Sequence, residues 1–471
     1  MTTKLHSGTT EVYLASYASG NPFAIGTGVA IITAKGDGIY GNSSEAWTLT
    51  NVGTIEANGA GGVGILLESS HSSVTNAAGG LIDAAGTAIE LYEGGNIMNA
   101  AGATIEGGTY GVEVNYAAGS LKNLGTISGT GAIYLLDGGV ITNAARTARI
   151  EGGNIGILVT GAAGTIANAG TISGTAYFGI ALEAGGTVTN LAGGLIEGGL
   201  YGGLYMVGKG TVTNAGTIEG LGRDGIGVTF AGSYADTLID SGTIIGHAGT
   251  AVEFGYGNDR LILDPGAVFS GEVVGGGDTT IELAAAKAVG HIAGLGTAFT
   301  YFQSLDVDRG GNWIIAGATN LNGIDVVDSG TATFTGAING TGTIRISTGA
   351  QLEAEGAVTG GETIAFGAAS GTLELTDPSG FAAEIGGLVT GDRLDIANAA
   401  FAFSKTETVK FTENAGNTGG TLTLTNGAHT LTLTLFGQFA ASFRLSTDGH
   451  GGTVITYASA ASPIRLAVGH G

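Results

Sequence analysis

Carboxylates dominate the chemistry open to this 471-residue chain: Asp and Glu number 39 against 16 Lys and Arg, with 7 His and no Cys. Two patterns among them have the character of metal ligands. Hard cations favour carboxylate and carbonyl oxygen, so GYGNDRL (255–261) and VGGGDTTIEL (274–283) offer Asp259 and Asp278 to Ca²⁺ in the manner of a Gly-Gly-x-Gly-x-Asp loop. Such a cage needs consecutive copies, and these two are single and separated, so a turn role for GND and GGD competes with it. The second pattern is a column. The residue after each of a series of regularly spaced Ile is Glu56, Asp83, Glu106, Ser128, Glu151, Ser173, Glu197, Glu219 and then Ile245. Stacked at about 4.8 Å, these carboxylates would either bridge through Ca²⁺ or form a solvated acidic edge that keeps rods from associating sideways.

A third set suits recognition. The positions Leu66, Glu90, Glu113, Tyr134, Leu158, Ala181, Tyr205, Gly227 and Glu253 recur between apolar neighbours, and Tyr134, Leu158 and Tyr205 present a candidate binding face for a glycan or a surface protein. Conventional catalytic sets are missing: the seven His are dispersed, and no Ser/His/Asp set or HExxH string occurs. Paired acids or an Arg over an acidic cluster would mark a polysaccharide hydrolase or lyase. The repetitive region carries only Lys122, Arg146, Arg149, Lys209 and Arg223 as bases, and none falls beside an acidic pair.

The elements that position these residues repeat. Asn51, Asn76, Asn99, Asn123, Asn143, Asn168, Asn190 and Asn214 recur at intervals of 20 to 25 residues, with Asp240 in the ninth place. Each follows an aliphatic residue by two, from Leu49/Asn51 to Leu238/Asp240, so both face one side of a strand. A second segment holds apolar pairs: Ile65/Leu67, Ile89/Leu91, Val112/Val114, Ile133/Leu135, Ile157/Val159, Ile180/Leu182, Leu204/Met206, Ile226/Val228 and Val252/Phe254. The third carries the Ile of the column above, from Ile55 to Ile244. Three short strands per turn of about 23 residues predict an all-β fold, a right-handed parallel β-helix that continues into a less regular C-terminal β region. The inward amides would pair with one another and with corner backbone, a structural ladder without access to substrate. A leucine-rich repeat shares the period but needs L-x-x-L-x-L and a helical return, which this glycine content opposes.

Composition agrees. With 92 Gly and 4 Pro the chain is neither a helical bundle nor collagen, while 43% apolar residues supply a core. A formal charge of −23 repels nucleic acid and anionic membranes. No standard signal peptide and no apolar run long enough for a transmembrane helix is present, so export by a type I system or another non-Sec route is expected. The expected organisation is a cap and opening turn over 1–45, regular repeats over 46–255, an irregular continuation over 256–350, and a β-rich module over 351–471 with an export-related tail.

The Asn-x-Gly-x-Ile coils, with GNDRLILDPGAVFSGEVVGGGDTTIEL at 257–283, resemble the passenger domains of bacterial autotransporters over roughly residues 30–350. The segments GTLELTDPSGFAAEIGGLVTGDRLDIANAAF and GGTLTLTNGAHTLTLTLFGQFAASFRLSTDGHGGTVITY are similar to modules of large secreted bacterial repeat proteins. The resemblance implies a secreted or surface-displayed protein, an adhesin or scaffold within a surface assembly, with no cofactor unless Ca²⁺ binds. A β-helical polysaccharide lyase or hydrolase, and a calcium-dependent surface-layer or matrix component, are the alternatives.

Overall fold

Short alternating segments bury one residue in two, and the computed structural model arranges them as parallel strands stacked turn upon turn. It describes residues 2–17, 20–367, 369–439 and 442–458. The expected export-related tail from residue 459 lies outside the described residues. The chain divides into two compact units, Met1–Ile262 with Ala267–Thr279, and Leu263–Gly266 with Thr280–Gly471. The fold is all-β, a parallel β-solenoid with less regular sheet toward the C-terminus. No helix of the described residues is long and apolar enough to cross a membrane.

Three sheets build the first unit. The Ile sheet stacks Ile31 on Ile55, Ile82, Ile105, Ile127, Ile150, Ile172, Ile196, Ile218 and Ile244 in unbroken register, each fully buried. On the Asn sheet, Phe23–Ile25 pairs with Thr48–Asn51, and every following turn places its Asn on the Asn before. The pair sheet runs from Ile39–Gly41 through Ile65–Leu67 to Ile226–Phe230 and beyond. Stacking thus reaches back through residues 3–45, where Thr3–Leu5 already pairs with Phe23–Ile25.

The recurrent Asn-x-Gly has a steric cause. A Cβ on Gly125 or Gly170 would stand 2.3 Å from the carbonyl oxygen of Ala103 or Ala148 in the preceding turn, so only glycine lets neighbouring corners close. Where the corner is longer, as after Asn76 and Asn190, an extra glycine takes positive φ: Gly79 at 82° and Gly193 at 83°.

One register departs from simple alternation. In the strand Ile226–Phe230 the inward pair is Val228 and Phe230, not Ile226 and Val228: Val228 lies on Leu204, and Phe230 on Met206. All three apolar residues share parity, so alternation alone cannot choose among them. Packing chooses: Phe230 is 1% exposed and stacks on Phe254 with ring centroids 5.1 Å apart and planes 9° apart. Thr229 therefore occupies the outward column in place of Gly227. Gly227 sits at a buried corner, where a Cβ would meet Ile244 at 2.5 Å.

The second unit is likewise built of parallel coils. Leu305, Val326, Ile344, Ile364 and Ile385 stack in one sheet, and Trp313, Ala332, Leu352, Leu373 and Leu394 in another. After residue 400 antiparallel pairs join the stack: Gly419–Asn426 lies between Thr408–Glu413 and His429–Phe436, the latter still parallel to Glu384–Gly386, while Thr453–Tyr457 runs against Arg393–Ile396. Hairpins of this kind close a parallel edge that would otherwise template association.

Candidate functional site

The Asn residues form one continuous ladder, all fully buried. From Asn51 to Asn190 each Nδ2 donates to Oδ1 of the next Asn at 2.9–3.0 Å, and Asn214 donates to Asp240 Oδ1 at 2.8 Å. The same Nδ2 also reaches a carbonyl of the following turn, as from Asn99 to Thr126 at 2.9 Å, and Oδ1 accepts the corner amide, as from Gly125 at 3.2 Å. Both ends of the amide are thus occupied. The ladder holds turns together and has nothing to spare for a ligand.

The carboxylate column is in register from Glu56 through Asp83, Glu106, Ser128, Glu151, Ser173, Glu197 and Glu219 to Ile245. Partial burial and then the Glu56 charge raise the Asp83 pKa; burial and then Glu219 and Glu151 do the same for Glu197. Arg149 relieves part of the repulsion by reaching Glu151 at 2.7 Å, and His247 Nε2 lies 2.6 Å from Glu219 Oε1.

Asp259 and Asp278 are not brought together on one site. Asp259 is 1% exposed, and its Oδ1 accepts the amide of Asp236 at 2.8 Å. Asp236 does the same for the amide of Gly210 at 2.6 Å, and in the second unit Asp392 for that of Gly371 at 2.9 Å. These three are backbone staples between neighbouring turns, and Asp-x-Leu at 236–238, 259–261 and 392–394 is their sequence sign. Asp278 lies on the surface, the next residue, Thr279, being the buried one. Among the described residues no group of three or more His, Asp or Glu is placed to hold a metal ion.

The outward face of the pair sheet is different, because rings gather on it. Leu66, Glu90, Glu113, Tyr134, Leu158, Ala181, Tyr205 and Thr229 form one column. A second column beside it contains Tyr110, Gly131 and Ile155, and further on Phe178, Gly202 and Ile226. The two columns build the same ring cluster twice. A ring stands opposite the glycine of the next turn and packs on the Tyr of that turn: Tyr110 with Tyr134 at 5.4 Å, and Phe178 with Tyr205 at 5.0 Å. A Cβ on Gly131 would lie 2.8 Å from the Tyr110 ring and displace it, so glycine there leaves room for the ring. Tyr201 extends the second cluster, stacking on Tyr177 at 5.5 Å and touching Phe178 at 5.4 Å.

Between the two ring clusters lies a pocket of ≈ 150 Å³ walled by Tyr110, Ile155, Leu158 and Tyr177. Thr109, Thr130 and Asn154 supply its polar rim. Tyr177 on the pocket wall is 39% exposed, and Tyr201, stacked on it, 47%. Sequence alternation found Tyr134, Leu158 and Tyr205 but not Tyr110 or Phe178, which share parity with the inward Val112 and Ile180. Strict alternation breaks at Gly111 and Gly179, each buried together with the Val112 or Ile180 that follows it, so the preceding rings are left partly exposed. A Tyr-Gly or Phe-Gly step before an apolar pair is the signal that would have found them.

Acid flanks the groove. Glu113 adjoins Tyr134 on the next strand and precedes it in the column, with Glu90 one turn further back. Asn115 Nδ2 donates to Glu90 Oε1 and Thr87 Oγ1 to Glu113 Oε2, each at 3.2 Å. Burial and then the Glu113 charge raise the pKa of both Glu90 and Tyr110. Comparison with protein-family models, curated proteins and solved structures finds no match for this chain, so its functional reading rests on this geometry.

Proposed function

We propose that this chain is a non-enzymatic scaffold of the adhesin kind, secreted or displayed on a bacterial surface, that holds polysaccharide along the outer face of its pair sheet. The observation that carries this reading is the pocket walled by Tyr110, Leu158 and Tyr177, flanked by the ring contacts of Tyr110 with Tyr134 and of Phe178 with Tyr201 and Tyr205. Rings side by side, with hydroxyls and an amide at the rim, match a pyranose chain, whose C–H faces are apolar and whose edges carry hydroxyls. A rigid solenoid offers such a platform without ordering cost, and two like ring clusters along the stack favour a repetitive ligand. The resemblance to autotransporter passenger domains supports the secreted context, and export by a type I or other non-Sec route is part of the same proposal. The Asn ladder and the Asp-to-amide contacts join neighbouring turns directly, and folding without Ca²⁺ is part of the same proposal.

The test is retention on a panel of neutral and amino polysaccharides by affinity electrophoresis, with Tyr134→Ala and Tyr205→Ala as variants. Each variant is expected to weaken binding about tenfold while leaving the melting temperature within a few degrees. Equal retention of wild type and variants would overturn the reading. Release of reducing ends from a retained polysaccharide would replace it with the hydrolase alternative.

A further inference from the structure

We infer that the groove selects an amino-sugar polymer, whose protonated amines are held by Glu113 and Glu90 where the column passes from acid to ring. This rests on the carbohydrate-binding reading and adds a ligand class to it. The rings alone would accept any pyranose with an apolar face. Charge discriminates among them: at −23 overall the chain repels acidic polysaccharides before contact. The local arrangement sharpens that preference. Glu113 adjoins Tyr134 in register and shares its strand with Tyr110, so a sugar lying on the Tyr110–Tyr134 pair would set a ring substituent beside a carboxylate.

The two acids are held for a cation from outside. Each accepts one hydrogen bond from a neutral donor, Asn115 for Glu90 and Thr87 for Glu113, leaving further acceptor capacity on each carboxylate. Among the described residues, neither Glu90 nor Glu113 has a Lys, Arg or His nitrogen within 4.0 Å, whereas Glu151 and Glu219 in the carboxylate column have Arg149 and His247. Stacking two like charges on neighbouring strands is unfavourable, and an ammonium between them removes the repulsion. A hydroxyl or an N-acetyl group at the same place would gain only a neutral contact. Aromatic floor and acidic wall together require a ligand with both a pyranose face and positive charge.

Isothermal titration of the full chain at pH 6, with a fully deacetylated glucosamine hexamer, its N-acetylated counterpart and spermine, tests this. The deacetylated hexamer is expected to bind about tenfold more tightly than the acetylated one and to weaken as salt rises from 50 to 500 mM. Glu113→Gln and Glu90→Gln should remove that preference while keeping acetylated-hexamer binding, and Tyr134→Ala should weaken both hexamers. A circular dichroism melt of each variant separates lost affinity from lost fold. Equal affinity for both hexamers, unaffected by Glu113→Gln, would overturn the inference and leave the carbohydrate reading standing. Spermine binding as tightly as the deacetylated hexamer, with Tyr134→Ala without effect, would also overturn it, since charge alone would then suffice. Failure of both hexamers and of every neutral polysaccharide would overturn the carbohydrate reading itself.

Discussion

Asp328→Asn isolates a buried acid whose surroundings make its charge costly. Asp328 stands in a core column between Val307 and Ile346, is 0% exposed, and accepts the Gly330 amide through Oδ1 at 2.9 Å, while Oδ2 has no hydrogen-bond partner. Burial pushes its pKa to about 7, against about 3.9 for an exposed Asp. The native state therefore binds a proton more tightly than the unfolded chain. The associated stability is present below the unfolded value and is lost as pH rises to the folded one. Each pH unit between those two values is worth about 1.4 kcal/mol, so the second unit should lose about 4 kcal/mol at this residue between pH 4 and pH 8. In a unit of this size that is about 8–16 °C of melting temperature. Asn keeps the Oδ1 contact and does not titrate, as Asn214 shows in the first unit by accepting the Gly216 amide at 3.2 Å. Melts of wild type and Asp328→Asn across pH 4 to 8 should diverge steadily, the variant gaining with pH. Other buried acids tilt both curves alike, among them Asp236, which burial raises to about 6, so the difference between the curves is the readout. A difference independent of pH would refute the reasoning.

Further outcomes follow from the same geometry. Asn123→Leu leaves the Asn99 amide, the Gly125 N–H and Asn143 Oδ1 each short of a partner, and urea titration should show a loss of about 3–5 kcal/mol, against under about 0.5 kcal/mol for the exposed Lys122→Ala. Gly125→Ala forces a Cβ against the Ala103 carbonyl and should cost about 2 kcal/mol or more in the same assay. Thermal unfolding should be the same in excess EDTA and in millimolar Ca²⁺; a large rise with Ca²⁺ would place a bound ion in the folded state and revive the carboxylate-bridge reading.

The solenoid was legible because its signal is periodic. The spacing of Asn51 to Asn214 and the columns from Ile55 to Ile244 state which residues stack, and a one-residue slip would turn every Ile outward. Inward amides repeating with the turn can hardly do other than bond to one another, so the ladder too could be read from the chain alone. Of the Asp-x-Leu staples only Asp259 stood out in the sequence, as a Ca²⁺ ligand or a turn residue, because a lone carboxylate looks the same whether it binds an ion or the amide of Asp236.

What tertiary structure alone decided is where alternation breaks. Val228 and Phe230 face inward because Phe230 finds Phe254 one turn away, a contact that parity within Ile226–Phe230 cannot express. Tyr110 and Phe178 stand out of the core because alternation breaks at the buried Gly111 and Gly179 just after them, and only then do rings more than twenty residues apart meet Tyr134 and Tyr205. Sequence periodicity determines which residues share a column. Which side a residue shows where alternation breaks depends on what the neighbouring turn can accommodate, and the rings around the pocket sit at those breaks.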